Sequence, residues 1–315
     1  MKRSQLFLTL AILTFLSSGC ELAKSKGVVK ENYIHKYGIP MSKKEWNNRG
    51  KNGTAISKME NGVTISKTYE NGVLHGTKDI TFPHSEIVEK KETYEHGLLK
   101  NRVLHYSSGV PMWKEKLLKD GKSVITTWYE DGSPQSIEKY EKSLLKSGEY
   151  FTLHNEIESH VKQNEGTRIQ RDAFGNLLSR DLIKDGKMAL RTTFHPNGDP
   201  KTIASYENGF PHGQKKTFWI GGQPNTIEEW FEGKQHGKTI VFQNGEKRAE
   251  IPYVNGEKHG IEYRYRDENI LVEEVQWERN QKHGPSKIYV DDVATVKWFH
   301  QGKPVSKFIF DEYIR

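Results

Sequence analysis

The side chains able to do chemistry are a single cysteine, thirteen histidines and 41 carboxylates. Five histidines, His75, His212, His236, His259 and His283, each stand immediately before a glycine. Zinc ligands lie ~2.0–2.1 Å from the metal, whereas equivalent positions on successive β-hairpins fall ~10 Å apart. This spacing predicts structural imidazoles, each bonding a turn carbonyl beside its glycine, and no metal; a pH-sensitive row is the alternative use. The carboxylate pairs Glu228–Glu229, Glu273–Glu274 and Asp291–Asp292 have the residue types of a glycosidase dyad. Neighbours on a strand point to opposite faces, so these pairs are expected at strand ends in solvent. Gly121-Lys122-Ser123 and Gly237-Lys238-Thr239 end like a phosphate loop. Lys116 and Glu232 occupy the place of the required earlier glycine, and no helix is expected to follow. Ser136-Ile-Glu-Lys139 and Ser143-Leu-Leu-Lys146 fit a Ser-x-x-Lys nucleophile motif without its Lys-Thr-Gly companion. The expectation is a non-enzymatic chain with no catalytic residues, no metal and no cofactor beyond a covalent lipid.

That lipid is expected at Cys20. The chain opens with Met1-Lys2-Arg3, continues through an apolar run Leu6–Leu16 and reaches Ser17-Ser18-Gly19-Cys20. A basic start, a short apolar stretch and small residues before a cut form a secretion signal, and an apolar run of this length is too short to cross a bilayer, which takes ~20 residues. The ending resembles the bacterial lipobox, with Ser17 in place of the usual leucine. The resemblance implies cleavage after residue 19, acylation of the only thiol in the chain and an envelope location. Glu21, a residue other than Asp after the cysteine, favours the outer membrane if the cell is Gram-negative. Segment 20–45 reads as a basic tether.

Without Lys2 and Arg3 the chain keeps 46 basic against 41 acidic side chains. That excess is mild, and with export it excludes nucleic acid as a partner. Apolar residues make up only 34% of the chain, while aromatics reach 11% and glycines number 28. A thin repetitive architecture suits such a sequence better than a thick core.

Self-similarity organises the remainder. The copies are Tyr69-Glu-Asn-Gly72-Val-Leu-His75-Gly76, Tyr206-Glu-Asn-Gly209-Phe-Pro-His212-Gly213, Trp230-Phe-Glu-Gly233-Lys-Gln-His236-Gly237, Tyr253-Val-Asn-Gly256-Glu-Lys-His259-Gly260 and Trp277-Glu-Arg-Asn280-Gln-Lys-His283-Gly284. Weaker copies begin at Tyr94, Leu118, Tyr140, Val161, Ile183 and Phe299, giving a mean period of 23 from Tyr69 to Phe299. Each period holds two turn signals, such as Asn61-Gly62 with Asn71-Gly72 and Asn197-Gly198 with Asn208-Gly209. Asn-Gly favours the type I′ turn, whose central residues both need positive φ. The intervening stretches alternate as strands do, and helical spacing is not sustained after the signal. An all-β, repetitive antiparallel hairpin meander, elongated over ~100 Å, follows, with the anchor aromatics aligned along one face.

The aromatic-x-x-Gly-x-x-x-Gly pattern resembles MORN repeats of the bacterial variant form, from Tyr69 onward and most specifically in the later half. The further Gly-x-Gly of the eukaryotic pattern is missing, so the resemblance does not carry phosphoinositide binding over. It implies a hairpin scaffold over 46–299, degenerate at about 140–180, followed by a capping strand over 300–315 that includes Lys307-Phe-Ile-Phe310. The expected function is a membrane-anchored scaffold or adaptor binding another envelope protein. The alternatives are a glycan- or peptidoglycan-binding lipoprotein that uses aromatics such as Phe218, Trp219, Tyr263 and Tyr265, and an antitoxin-like protein.

Overall fold

The computed structural model describes residues 27–267, 270–291 and 293–314. The signal segment and Cys20 lie outside the described residues. The described chain is an all-β antiparallel meander in which almost every strand pairs with its neighbours in sequence. It divides into two compact units, one of residues up to Asn164 with Ala173–Gly175, the other of Glu165–Asp172 with Asn176 onward.

Two turn types alternate. At one edge of each unit the hairpins close through two residues that both have positive φ, as in Asn71-Gly72 and Asn208-Gly209. The same geometry recurs without the Asn-Gly signature at Lys142-Ser143, Gln163-Asn164 and Arg279-Asn280. At the other edge, Asn61-Gly62 and Asn197-Gly198 do not form type I′ turns. There only the glycine has positive φ, and a three-residue loop is closed by Met59 N–H to the Val63 carbonyl and His195 N–H to the Asp199 carbonyl.

The stretch at 140–180, read as degenerate, folds into the same hairpins, with strands Pro134–Glu141, Leu144–Phe151, Ile157–Lys162, Glu165–Arg171 and Leu177–Lys184. Tyr140, Leu145, Tyr150 and Val161 are buried there. Tyr129, also buried, donates its hydroxyl to the Phe151 carbonyl at 2.6 Å. The Leu118 copy is offset, because Leu118 is exposed and Leu117 ends the strand before the turn.

Both ends correct the expectation. Segment 20–45 is not a free tether from Val28 onward, since Val28–His35 pairs with Gly53–Met59. Trp46 does not begin a hairpin. It is the buried residue of a short helix, Lys43–Asn48, begun by a capping box between Ser42 and Glu45. Its ring packs 5.3 Å from Tyr33 and 5.9 Å from Tyr69. At the other end Lys307–Tyr313 is a helix rather than a capping strand. The Ser306 hydroxyl accepts from Ile309 N–H, and one turn suffices to bury Phe310 against Trp298 and His283. Short helices of this kind leave too few residues for a periodic signal.

Gly53 marks the tightest backbone approach in the first unit. It has a φ of 130°, and a Cβ there would lie 2.1 Å from the Ile34 carbonyl oxygen, which is fixed in the neighbouring strand. Gly38, at φ 81°, would place a Cβ in open space. Gly38→Ala is expected to cost about 1–2 kcal/mol, the ordinary left-handed penalty, and Gly53→Ala roughly twice that or more. Urea unfolding of the two variants checks this, and equal midpoints would contradict it.

Candidate functional site

The repeat pattern has a physical reading residue by residue. In the strong copies the anchor aromatics Tyr69, Tyr206, Trp230, Tyr253 and Trp277 are half-buried. The glycines Gly72, Gly209, Gly233 and Gly256 hold the second place of the two-residue turns, all at positive φ. The later glycines Gly76, Gly213, Gly237, Gly260 and Gly284 sit in wide bulges, again at positive φ. His75-Gly76-Thr77, for example, faces the single residue Thr68, and His212-Gly213-Gln214 faces Ser205. On its other side each bulge glycine stands directly opposite the anchor of the next copy: Gly76 opposite Tyr94, Gly213 opposite Trp230, Gly237 opposite Tyr253, Gly260 opposite Trp277 and Gly284 opposite Phe299. A Cβ on these glycines would meet a side chain of the strand before them, 3.3 Å from Thr68 at Gly76, 3.8 Å from Ser205 at Gly213 and 3.3 Å from Pro252 at Gly260.

Two residues before many anchors stands a carboxylate, and these carboxylates are buried. In the first unit the cross-strand row runs Lys78, Glu92, Arg102, Glu115, Ile125, Glu138. Glu92 bonds Lys78 and Lys90 at 2.8 Å each and accepts from the Tyr94 hydroxyl. Burial alone would raise its pKa, but the hydrogen bonds from the two lysines outweigh it and hold Glu92 down at about 2. Glu138 is held instead by two phenols, Tyr140 at 2.7 Å and Tyr150 at 2.8 Å. In the second unit the row begins Arg168, Asp181, Arg191. Asp181 is fully buried and takes four guanidinium hydrogen bonds of 2.7–3.0 Å from Arg168 and Arg191. Glu228 lies between Lys215 and the Trp230 indole N–H, and Glu262 between Lys258 and Arg264.

These placements correct the carboxylate pairs. Glu228 is buried in mid-strand rather than solvated at a strand end, and Glu273 and Glu274 are mid-strand, paired with Arg264 and Lys287. The first two pairs do split between opposite faces of their strands; Asp291 is in a turn, and Asp292 lies outside the described residues. Neither Lys-Ser nor Lys-Thr segment precedes a helix: Lys122 and Lys238 lie in strands.

The histidines line the type I′ edge but do not bond turn carbonyls. His75 Nδ1 accepts the His96 backbone N–H at 3.3 Å, and His283 Nδ1 accepts that of Gln301 at 3.5 Å. Rings meet at tilted angles along the turn edge of each unit, His75 with His96 in the first and His212 with Phe231 and His283 with His300 in the second. His96 was not singled out by the repeat, because it occupies the first turn position and not the place before a bulge glycine. Phe210 and Phe231 on the same edge are each 51% exposed. Of the additional aromatics, Trp219 is exposed, while Phe218, Tyr263 and Tyr265 are half-buried.

No protein-family model matches the chain, and no characterised protein matches it. Among solved structures it shows likeness to an S. aureus TarM mutant in complex with fondaparinux, α-GlcNAc-glycerol and UDP. Identity is 11%, over 39% of this chain and 21% of that one, at a TM-score of 0.20. A TcdB2–TccC3 structure is 11% identical over 88% of this chain and 16% of that one, at 0.17. A porin-like protein from Bacteroides uniformis is 9% identical over 84% and 92%, at 0.16. This chain thus spans well under two thirds of the first two. None of these likenesses bears on what it does.

Asp181→Asn leaves Arg168 and Arg191 without their buried counter-charge and should destabilise the second unit by about 3 kcal/mol, read as a lowered unfolding midpoint. Glu92 has a folded pKa below its unfolded one, so its stabilisation is complete above about pH 4.5 and is lost as pH falls towards 2. That contribution is about 3 kcal/mol, and Glu92→Gln should flatten the acid limb of a stability–pH curve. An unchanged acid limb would contradict the assignment.

Proposed function

We propose that this protein is a lipid-anchored, non-enzymatic scaffold that binds another protein in the bacterial cell envelope. Cys20 would be the attachment point, and the signal-like sequence before it supports this. The observation that carries the binding role is the turn edge of the second unit. Phe210 and Phe231 each leave half their surface in water, and the rim around them is charged, with Glu207 paired to His212 at 3.5 Å. Half-exposed aromatics with a polar rim have the character of protein-binding hot spots. The titratable groups support a binding role over catalysis: in the described rows the buried carboxylates are paired with lysine or arginine, or bonded by tyrosine hydroxyls, within the sheet. The exposed Trp219-Ile220 loop favours a glycan ligand as the second reading, since a flat exposed indole suits sugar stacking.

A photo-crosslinking residue at Phe231, introduced in cells, tests the scaffold reading. A single protein adduct in the membrane fraction, lost on Phe210→Glu, is the expected result. Labelling no stronger than at Lys184, or retention on purified cell wall without a protein adduct, would overturn it. The anchor is tested separately by mass spectrometry of the mature N-terminus. A diacylglyceryl-modified Cys20, absent in Cys20→Ala, is expected, and an intact Met1 would refute the anchor.

A further inference from the structure

We propose that Glu70, His75 and His96 form a binding site for a divalent transition-metal ion of the zinc class, bridging two successive hairpins of the first unit. One donor atom from each of the three side chains lies within 4.8 Å of the others. Glu70 ends the strand Thr64–Glu70, His75 is the third residue of Val73–Thr81 across the Asn71-Gly72 turn, and His96 opens the next turn. The backbone beneath them is fixed, because Gly97 N–H donates to the Leu74 carbonyl at 2.8 Å.

The chemistry of the His75 ring points to a cation. Its Nδ1 faces the Glu70 carboxylate oxygen at 3.7 Å and accepts the long 3.3 Å bond from His96 N–H. In a neutral imidazole that accepts at Nδ1, the lone pair there is directed at the same side as an anionic oxygen. A positive ion between them takes the single Nδ1 lone pair from the long His96 N–H bond, which passes to water at this exposed turn, and turns the repulsion from Glu70 into a bond to each group. Ligands at ~2.1 Å around a tetrahedral ion stand ~3.4 Å apart, so the donor atoms must close by about an ångström. Glu70 and His96 are exposed and His75 is half-buried, so rotation of side chains accomplishes this while the strands stay in place. Two imidazoles with one carboxylate suit zinc, nickel or copper rather than calcium or magnesium. Three protein ligands leave a position for water.

The other copies show why the site is particular to this place. In four other copies the residues one and six after the anchor form an ion pair across the turn. They are Glu95 and Lys100 at 3.0 Å, Glu141 and Lys146 at 3.6 Å, Glu207 and His212 at 3.5 Å, and Glu278 and His283 at 3.6 Å. In the copies with histidine, the next turn opens with Glu232 after His212 and with Gln301 after His283. His300 also lies beside His283, with ring centroids 5.1 Å apart, but among the described residues only Glu70, His75 and His96 bring three donor atoms within 4.8 Å of one another. The expectation that histidines on successive hairpins lie too far apart to share a metal concerns equivalent positions. His96 occupies a different position in its repeat, and its ring centroid lies 4.8 Å from that of His75.

The test is calorimetric titration of zinc chloride into the untagged, chelator-stripped full chain. One tight equivalent is expected. It should weaken about tenfold or more in His75→Ala, in Glu70→Gln and in His96→Asn, the last of which restores the Asn-Gly turn of other copies. It should persist in His212→Ala. Zinc should also shift the imidazole nitrogen resonances of His75 and His96 and leave those of His212 in place, a readout independent of folding losses in any variant. Absence of a tight equivalent, or one that survives both His96→Asn and Glu70→Gln, would overturn the proposal.

Discussion

The pairing of a bulge glycine with the aromatic anchor of the following copy sets the geometry of the repeat. Gly213 pairs with Trp230 and Gly237 with Tyr253 on the strand after them. The side chain these glycines lack would run into the strand before: a Cβ at Gly213 would lie 3.8 Å from Ser205, one at Gly260 would lie 3.3 Å from Pro252, and one at Gly237 would meet the Glu229 carboxylate. The same glycine takes up the positive φ of a bulge that carries three residues past one on that preceding strand. One residue therefore answers to two neighbours, the side chain on the strand before it and the anchor it pairs with on the strand after it. The distance between such glycines cannot drift without misplacing an anchor, which is why the period stays near 23 wherever both are present.

Charge is the second constraint. With 34% apolar residues the sheet has too few aliphatic side chains to fill its inner rows, and carboxylates stand in them. A buried carboxylate is costly unless its charge is matched or its oxygens are bonded. Two different solutions appear. Asp181 is clamped by two guanidiniums, while Glu138 relies on the phenols of Tyr140 and Tyr150. Gly148, opposite Glu138, leaves room for the Tyr150 hydroxyl, which lies where a cation stands in neighbouring copies. The aromatic anchors thus have a polar as well as an apolar duty: Tyr94 and Trp230 each donate to the carboxylate two residues earlier. Trp277 has Val275 at that place, and among the described residues its indole N–H finds no acceptor.

Much of this architecture was legible. Turn signals at every 11 or so residues and alternating side chains dictate an antiparallel hairpin meander, because Asn-Gly at positive φ is a local property. The weak middle was harder to read, since Lys142-Ser143 and Gln163-Asn164 adopt the same turn without its usual residues. There tertiary burial of Tyr140 and Val161 selects the conformation that glycine selects elsewhere. The ends were misread for a related reason. Six or seven residues of helix carry no periodic pattern, and only the Ser-x-x-Glu box before Trp46 was available as a signal. The buried carboxylates were missed because composition ranks glutamate as a surface residue. The spacing of Glu92, Glu138 and Glu228 two places before an anchor was present in the sequence, but its meaning depends on knowing which cation lies across the strand.

The two edges of the hairpins therefore differ in what they can offer. The loop edge is tied by main-chain and side-chain bonds that recur at the repeat distance, as when the Tyr106 hydroxyl donates to the Trp128 carbonyl or His195 meets the Phe218 carbonyl. The turn edge is tied through glycine amides such as Gly233 N–H to the Pro211 carbonyl and Gly256 N–H to the Gln235 carbonyl, which leave its side chains free to vary. Phe, His, Glu and Lys accordingly alternate there from copy to copy, while the backbone beneath stays constant. A scaffold of this kind acquires specificity by changing turn-edge residues one copy at a time, at little cost to the sheet. The tilted ring pair His75–His96 in the first unit and the exposed pair Phe210 and Phe231 in the second are two outcomes of that freedom on the same repeat.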